Sequence, residues 1–135
     1  MKLITVSDVI SLHAEGIARY GGMQAVSKNA SDCVQGRIGN AELAEQYVTE
    51  DEKFRPGLCF AGFLMFYLVK DSCFVDGNKR VGWLTAMRVL ADAGLTVRAS
   101  DEEAFDFVDS IARGKITDGR MVVLWLSSRL FSPSA

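Results

Sequence analysis

The chain has 135 residues, 49% of them hydrophobic and 24% charged, and 15 Lys and Arg against 17 Asp and Glu give a formal net charge of −2. That length supports one domain, residues 1–135, with a core of its own. The near balance of charge withholds the basic footprint that direct nucleic-acid binding needs. The longest apolar run, Leu58 to Val69, is too short to cross a bilayer, so no membrane partner is expected. The N-terminal MKLITVSDVI carries Lys, Ser and Asp and lacks the apolar core of a secretory signal. Cys33, Cys59 and Cys73 show no CxxC pairing, and their odd number and wide spacing predict reduced thiols and a cytoplasmic location.

Helical punctuation recurs along the chain. Ser7 is placed to cap a helix to about Tyr20, with Val9, Ile10, Ile17 and Ala18 on one stripe and Gly21-Gly22 as its stop. Met23 to Tyr47 is weaker; it reads as two short helices, Ser31–Ile38 and Ala41–Tyr47, split at Gly39-Asn40. VTEDEKFRP reads as a loop, and Pro56 suits the first turn of a helix to about Lys70 that is apolar on every side and therefore central. Arg80 to Ala93 is helical and ends at Gly94, and LTVRAS is an extended connector. Ser100 with Glu103 forms a capping box for the next helix, and Thr117 or Asp118 starts the last one, leaving FSPSA as a frayed tail. The expected fold is all-α, about six to seven helices around the Pro56–Lys70 helix.

One row does not read as ordinary punctuation: DSCFVDGNKRVGW, Asp71 to Trp83. Gly77-Asn78 at a helix start leaves backbone N–H groups pointing outward at the positive end of the helix dipole. Lys79 and Arg80 add two cations, and Arg binds phosphate bidentately. Asp76 stands just before them, and one carboxylate beside bound phosphates is a usual way to hold Mg²⁺. Phe74 would point inward and anchor the loop. A polar turn capping a core helix, with Lys79 and Arg80 solvated, satisfies the same row, and spacing does not separate the two readings. The row is not a Walker A loop, which needs GxxxxGK followed by Ser or Thr.

FVDGNKR resembles the signature HxFx(D/E)GNxR of the Fic/Doc superfamily, and its NKR ending resembles the Doc, or death-on-curing, branch. SDVISLHAEGIARYGG is similar to the opening helix of that branch, and ADAGLTVRASDEEAFDFVDSIARGKI to the region after its motif. The resemblance implies a Fic/Doc-type helical bundle. It implies that Asp76 holds Mg²⁺, that Gly77, Asn78, Lys79 and Arg80 form a nest for the phosphates of ATP, and that Phe74 packs the loop onto the core. Lys79 and Trp83 stand where the AMP-transferring relatives have Gly and Arg. The implied activity is thus that of a Doc-type kinase, which moves the γ-phosphoryl group of ATP to a protein hydroxyl. The family's known target is elongation factor Tu, so the expected outcome is inhibited translation, with a Phd-like antitoxin as partner. AMP transfer, or a non-catalytic nucleotide- or antitoxin-binding module, are the alternatives.

The serious departure is Ser72, which occupies the place of the family's catalytic His. That His takes the proton from the attacking hydroxyl, and losing a general base costs roughly 10²–10⁴-fold in rate. The expectation is a catalytic step impaired or absent, with ligand binding intact. Ser72 fits a naturally slow relative, a disarmed variant, or a serine that itself accepts phosphate. His13 reads as a structural side chain of the first helix, and Asp71 as a solvated or capping residue. Cys73 replaces the usual Pro as a packing change, Arg37 reaches a phosphate, the target or a solvent salt bridge, and Trp83 and Trp125 belong to the core.

Overall fold

The computed structural model describes residues 4–22, 29–52, 55 and 57–131, with backbone alone over 48–52. The first helix, α1 (Val6–Tyr20), is capped by Thr5 rather than Ser7. The Thr5 hydroxyl accepts from the Asp8 N–H, and the Asp8 carboxylate accepts from the Thr5 N–H, a closed capping box. The helix stops at Gly21, whose φ of 92° suits glycine.

The second helix, α2 (Ala30–Glu52), corrects the expected pair of short helices: it runs unbroken for 23 residues. Gly39-Asn40 lies inside it. A helical glycine costs about 1 kcal/mol relative to alanine. Here that cost is offset by a stripe of Val34, Ile38 and Ala41, all buried in the common core. The same helix takes in Val48–Glu52, the start of the expected loop. Met23–Lys28 and Pro56 lie outside the described residues.

The third helix, α3 (Leu58–Lys70), is the expected centre: all but Tyr67 and Lys70 are buried. It packs against α2, against α4 (Asn78–Asp92) and against α6 (Gly119–Ser128). Each fully buried Leu or Phe in it contributes about 1.5–3 kcal/mol. Two glycines set how close the neighbours come. A Cβ on Gly62 would lie 2.6 Å from Val123 Cγ2 of α6, and one on Gly82 of α4 would lie 2.5 Å from Val69 Cγ2.

Ser100 caps α5 (Asp101–Ala112) through the expected box with Glu103, and Asp118 caps α6. The connector holds a short strand, β1 (Thr96–Val97), antiparallel to β2 (Leu130–Phe131), with Thr96 opposite Phe131 and Val97 opposite Leu130. Phe131, expected in the frayed tail, is thus paired; residues 132–135 lie outside the described part. Arg129 joins Glu103 at 2.6 Å beside this pair. The fold is all-α, as expected, with six helices among the described residues.

The cysteines differ from expectation. Cys33 of α2 and Cys73 of the α3–α4 loop form a disulfide, their Cα atoms 5.6 Å apart, and Cys59 is the buried free thiol. The pair is separated by 40 residues and meets only because α2 packs along α3. In the loop-entropy account, closing such a span stabilises by about 4 kcal/mol.

Candidate functional site

The loop 71–77 carries the chain from α3 to α4, and its two ends are held by different parts of the molecule. In the downstream part, Phe74 is buried and its ring stacks on His13 at 3.9 Å between centroids, 8° from parallel. Asn78 closes the loop on itself: its Oδ1 accepts from the Phe74 N–H at 3.0 Å, and its Nδ2 donates to the Phe74 carbonyl at 2.8 Å. His13, 3% exposed, bonds through Nε2 to the Asp76 carbonyl at 2.7 Å. With a carbonyl as partner, Nε2 carries the proton. Gly77 then turns the chain into α4 with φ 78° and ψ 16°, left-handed values that glycine adopts without penalty. A Cβ there would lie 3.0 Å from Ile17 Cδ1 and 3.4 Å from His13 Nε2.

In the upstream part, Arg37 of α2 donates its Nε to the Asp71 carbonyl at 3.0 Å, and the disulfide holds Cys73. Ser72, between these two ties, is exposed. Arg37, left open between a phosphate contact and a salt bridge, is therefore a tether of the loop. Cys73 is a bonded residue rather than a packing change.

At the start of α4 no side chain caps the helix. The first-turn N–H groups have no intrahelical acceptors and form the positive pole of the helix dipole. Asp76 Oδ1 accepts from the Gly77 N–H at 2.8 Å. The two cations diverge. Lys79 pairs with Asp109 of α5 at 3.1 Å and lies over the Phe105 ring. Arg80 donates to the Gly21 carbonyl at 3.3 Å and lies over the Tyr20 ring. The Asp109 carboxyl is held below the usual carboxylate range, first by the hydrogen bond from Lys79 and also by Arg113.

Between these flanks lies a cavity of about 750 Å³. Its floor is Asp76–Arg80, and Tyr20, Val75, Trp83, Leu84, Phe105 and Val108 contribute to its walls. Phe74 is buried behind it, and Ser72 is not part of its lining. Trp83, expected in the core, is only half-buried and meets Trp125 edge to face while also facing the cavity. Tyr20 and Phe105 are 58% and 60% exposed, so the walls are open apolar surface. Among the described residues no group of three or more His, Cys, Asp or Glu side chains is placed to hold a metal alone.

The structure therefore brings Asp76, Gly77, Asn78, Lys79 and Arg80 to one cavity and places Ser72 to its side. It adds His13, Tyr20, Phe105 and Asp109. His13 was legible only as a helix residue, because its role depends on a carbonyl 63 residues away.

The sequence model of the Fic/DOC family matches residues 3–90, which spans α1 to nearly the end of α4 and includes the whole loop. The chain belongs to the Fic/DOC family. Its general chemistry is the transfer of AMP or of a phosphoryl group. No curated protein sequence matches the chain. The matched span ends before α5, whose Phe105 and Val108 line the cavity and whose Asp109 holds Lys79 beside it.

Proposed function

We propose that the cavity binds ATP with Mg²⁺ at Asp76–Arg80, and that the site is built for Doc-type transfer of the γ-phosphoryl group to a Ser or Thr hydroxyl of a protein. The observation that carries this reading is the uncapped start of α4 opening into a cavity flanked by Lys79 and Arg80, with Asp76 at its edge. Backbone N–H groups at a helix start suit phosphate oxygens. Arg80, anchored by Gly21 and Tyr20, needs little rearrangement to add a second contact. Lys79 is drawn toward Asp109 and would have to turn from it to reach a phosphate. Asn78 contributes by fixing the loop, its side chain already being engaged with Phe74.

The donor set fits a Mg²⁺ ion carried on the phosphates. Two carboxylates line the cavity, Asp76 beside the α4 start and Asp101 on the α5 wall, and Mg²⁺ commonly takes only one or two protein carboxylates. When bound, the ion would neutralise charge on the transferring phosphate. The chain's own residues orient the phosphates through the α4 N–H groups and hold the loop through His13 and Asn78. Neither Ser72 nor His13 is placed to take the proton from an attacking hydroxyl. Ser72 is no base at neutral pH, and His13 is buried with Nε2 donating to Asp76. Asp71 has its carbonyl tied to Arg37 at the end of α3. The reading is thus a ligand-binding site whose catalytic step is impaired.

A protein target in the cytosol, with elongation factor Tu as the family's precedent, and an antitoxin of Phd type complete the proposal. The exposed apolar side chains Tyr20, Val75 and Phe105 beside the cavity support a protein partner there.

The test incubates the protein and its Ser72→His variant with bacterial lysate, Mg²⁺ and ATP labelled at the α or γ phosphate. Transfer of γ-label to a protein band by the His variant, weak or absent with Ser72, is the expected result. Transfer of α-label would establish AMP transfer instead. No transfer by either protein would leave a non-catalytic binding module.

A further inference from the structure

The disulfide lies at the part of the loop that the phosphate-binding residues do not hold. Cys33 and Arg37 are one helical turn apart on α2 and meet Cys73 and Asp71 respectively. Their two ties bracket Ser72, the position where the family places its base. Phe74, Asp76 and Asn78 are held separately, by His13 and by the Asn78 bonds.

We propose that Cys33–Cys73 is a reversible thiol–disulfide site, a covalent strap that fixes residue 72 when oxidised and releases Asp71–Cys73 when reduced, leaving the anion site in place. Its link to catalysis rests on the phosphoryl-transfer reading; the strap itself does not. The reductant is a low-molecular-weight thiol. Its thiolate attacks the sulfur of Cys33, the half-buried partner, breaking the S–S bond, forming a mixed disulfide and expelling the Cys73 thiolate. A second thiolate attacks the small-molecule sulfur of that mixed disulfide, releasing the symmetric small disulfide and the Cys33 thiolate. Two electrons pass from the two small thiols to the bridge, and their protons end on Cys33 and Cys73. The symmetric small disulfide is the oxidant of the reverse reaction. Bridges in a reducing cytosol are commonly of this labile kind.

The experiment equilibrates the whole protein in glutathione buffers of varied reduced-to-oxidised ratio, traps thiols with iodoacetamide and maps them by mass spectrometry. Amide hydrogen exchange is then followed over residues 70–80. Cys33 and Cys73 should change state together while buried Cys59 stays unlabelled in the folded protein. On reduction the amide of Asp71, which donates to the Tyr67 carbonyl at 2.9 Å, should exchange about tenfold faster or more, and those of Phe74 and Gly77 by less than about twofold. The Cys33→Ser variant should match the reduced protein, and reversible reduction of the unaltered chain serves if that variant does not fold. Mg²⁺-ATP affinity should agree within about twofold in the two states. Failure of ATP to bind either form would count against the nucleotide reading while the exchange result still decides the strap. Free thiols at every ratio, exchange at Asp71 unmoved by reduction, or faster exchange throughout the chain would overturn it.

Discussion

The two halves of the α3–α4 loop are held by different physics. Phe74 to Asn78 is fixed by a buried ring stack, a histidine–carbonyl bond and a side chain that closes the loop on itself, all within α1, the loop and the first residue of α4. Asp71 to Cys73 is tied to α2 by one hydrogen bond and one covalent bridge. The first half keeps the Phe, Asp, Gly and Asn of the family signature, and the second carries the departures, Ser72 and Cys73. On the proposed reading, binding and catalysis are separable: the residues proposed to bind are held without the residue at 72.

The sharpest way to break that separation is to restore the base. Ser72→His should raise phosphoryl transfer by roughly 10²–10⁴-fold, measured with γ-labelled ATP, while ATP affinity hardly moves. An equal gain in affinity would merge the two halves. Asp76→Asn acts on the other half and should weaken Mg²⁺-dependent ATP binding by about 10–100-fold in calorimetry, the loss typical of a charged contact. His13→Leu removes both the Asp76 bond and the stack on Phe74. It should cost about 1–3 kcal/mol in denaturant unfolding and weaken ATP binding, whereas His13→Gln, which keeps a donor, should recover part of both.

The smallest effects are electrostatic. Burial, aided by Glu42, pushes the Glu45 carboxyl of α2 up from its ordinary value. A raised acid favours the folded state while protonated, so its contribution is present below about pH 4.5 and is lost as pH rises through the raised value. Glu45→Gln should therefore stabilise the protein slightly at pH 7 and flatten thermal stability above pH 4.5. Asp109 has the opposite sign. Its lowered carboxyl contributes above its ordinary pKa and loses that contribution as pH falls through the lowered value. Asp109→Asn should free Lys79 and raise ATP affinity by up to a few-fold, about the scale of an exposed pair.

Much of the fold was legible because local signals agreed with packing. The central apolar helix, expected over Pro56–Lys70 and described over Leu58–Lys70, the Ser100–Glu103 box and the Gly21 stop all follow the sequence signals. Gly39-Asn40 misled because core burial of Val34, Ile38 and Ala41 outweighs a local helix penalty. The motif loop was legible as the Fic/DOC signature, and the structure gathers its Asp76–Arg80 at one cavity. What was hidden depends on long-range contact: Cys33 with Cys73, Arg37 with Asp71, His13 with Asp76 and Lys79 with Asp109. None of these pairs has a local pattern, so only the folded chain reveals them.

The most direct measurement is a calorimetric titration of ATP into the protein as it stands, with and without Mg²⁺, alongside Asp76→Asn and Ser72→His. Saturable binding that needs Mg²⁺, is weakened about 10–100-fold by Asp76→Asn and is unchanged by Ser72→His is the predicted result. Absence of ATP binding, or binding indifferent to both Mg²⁺ and Asp76, would contradict the account.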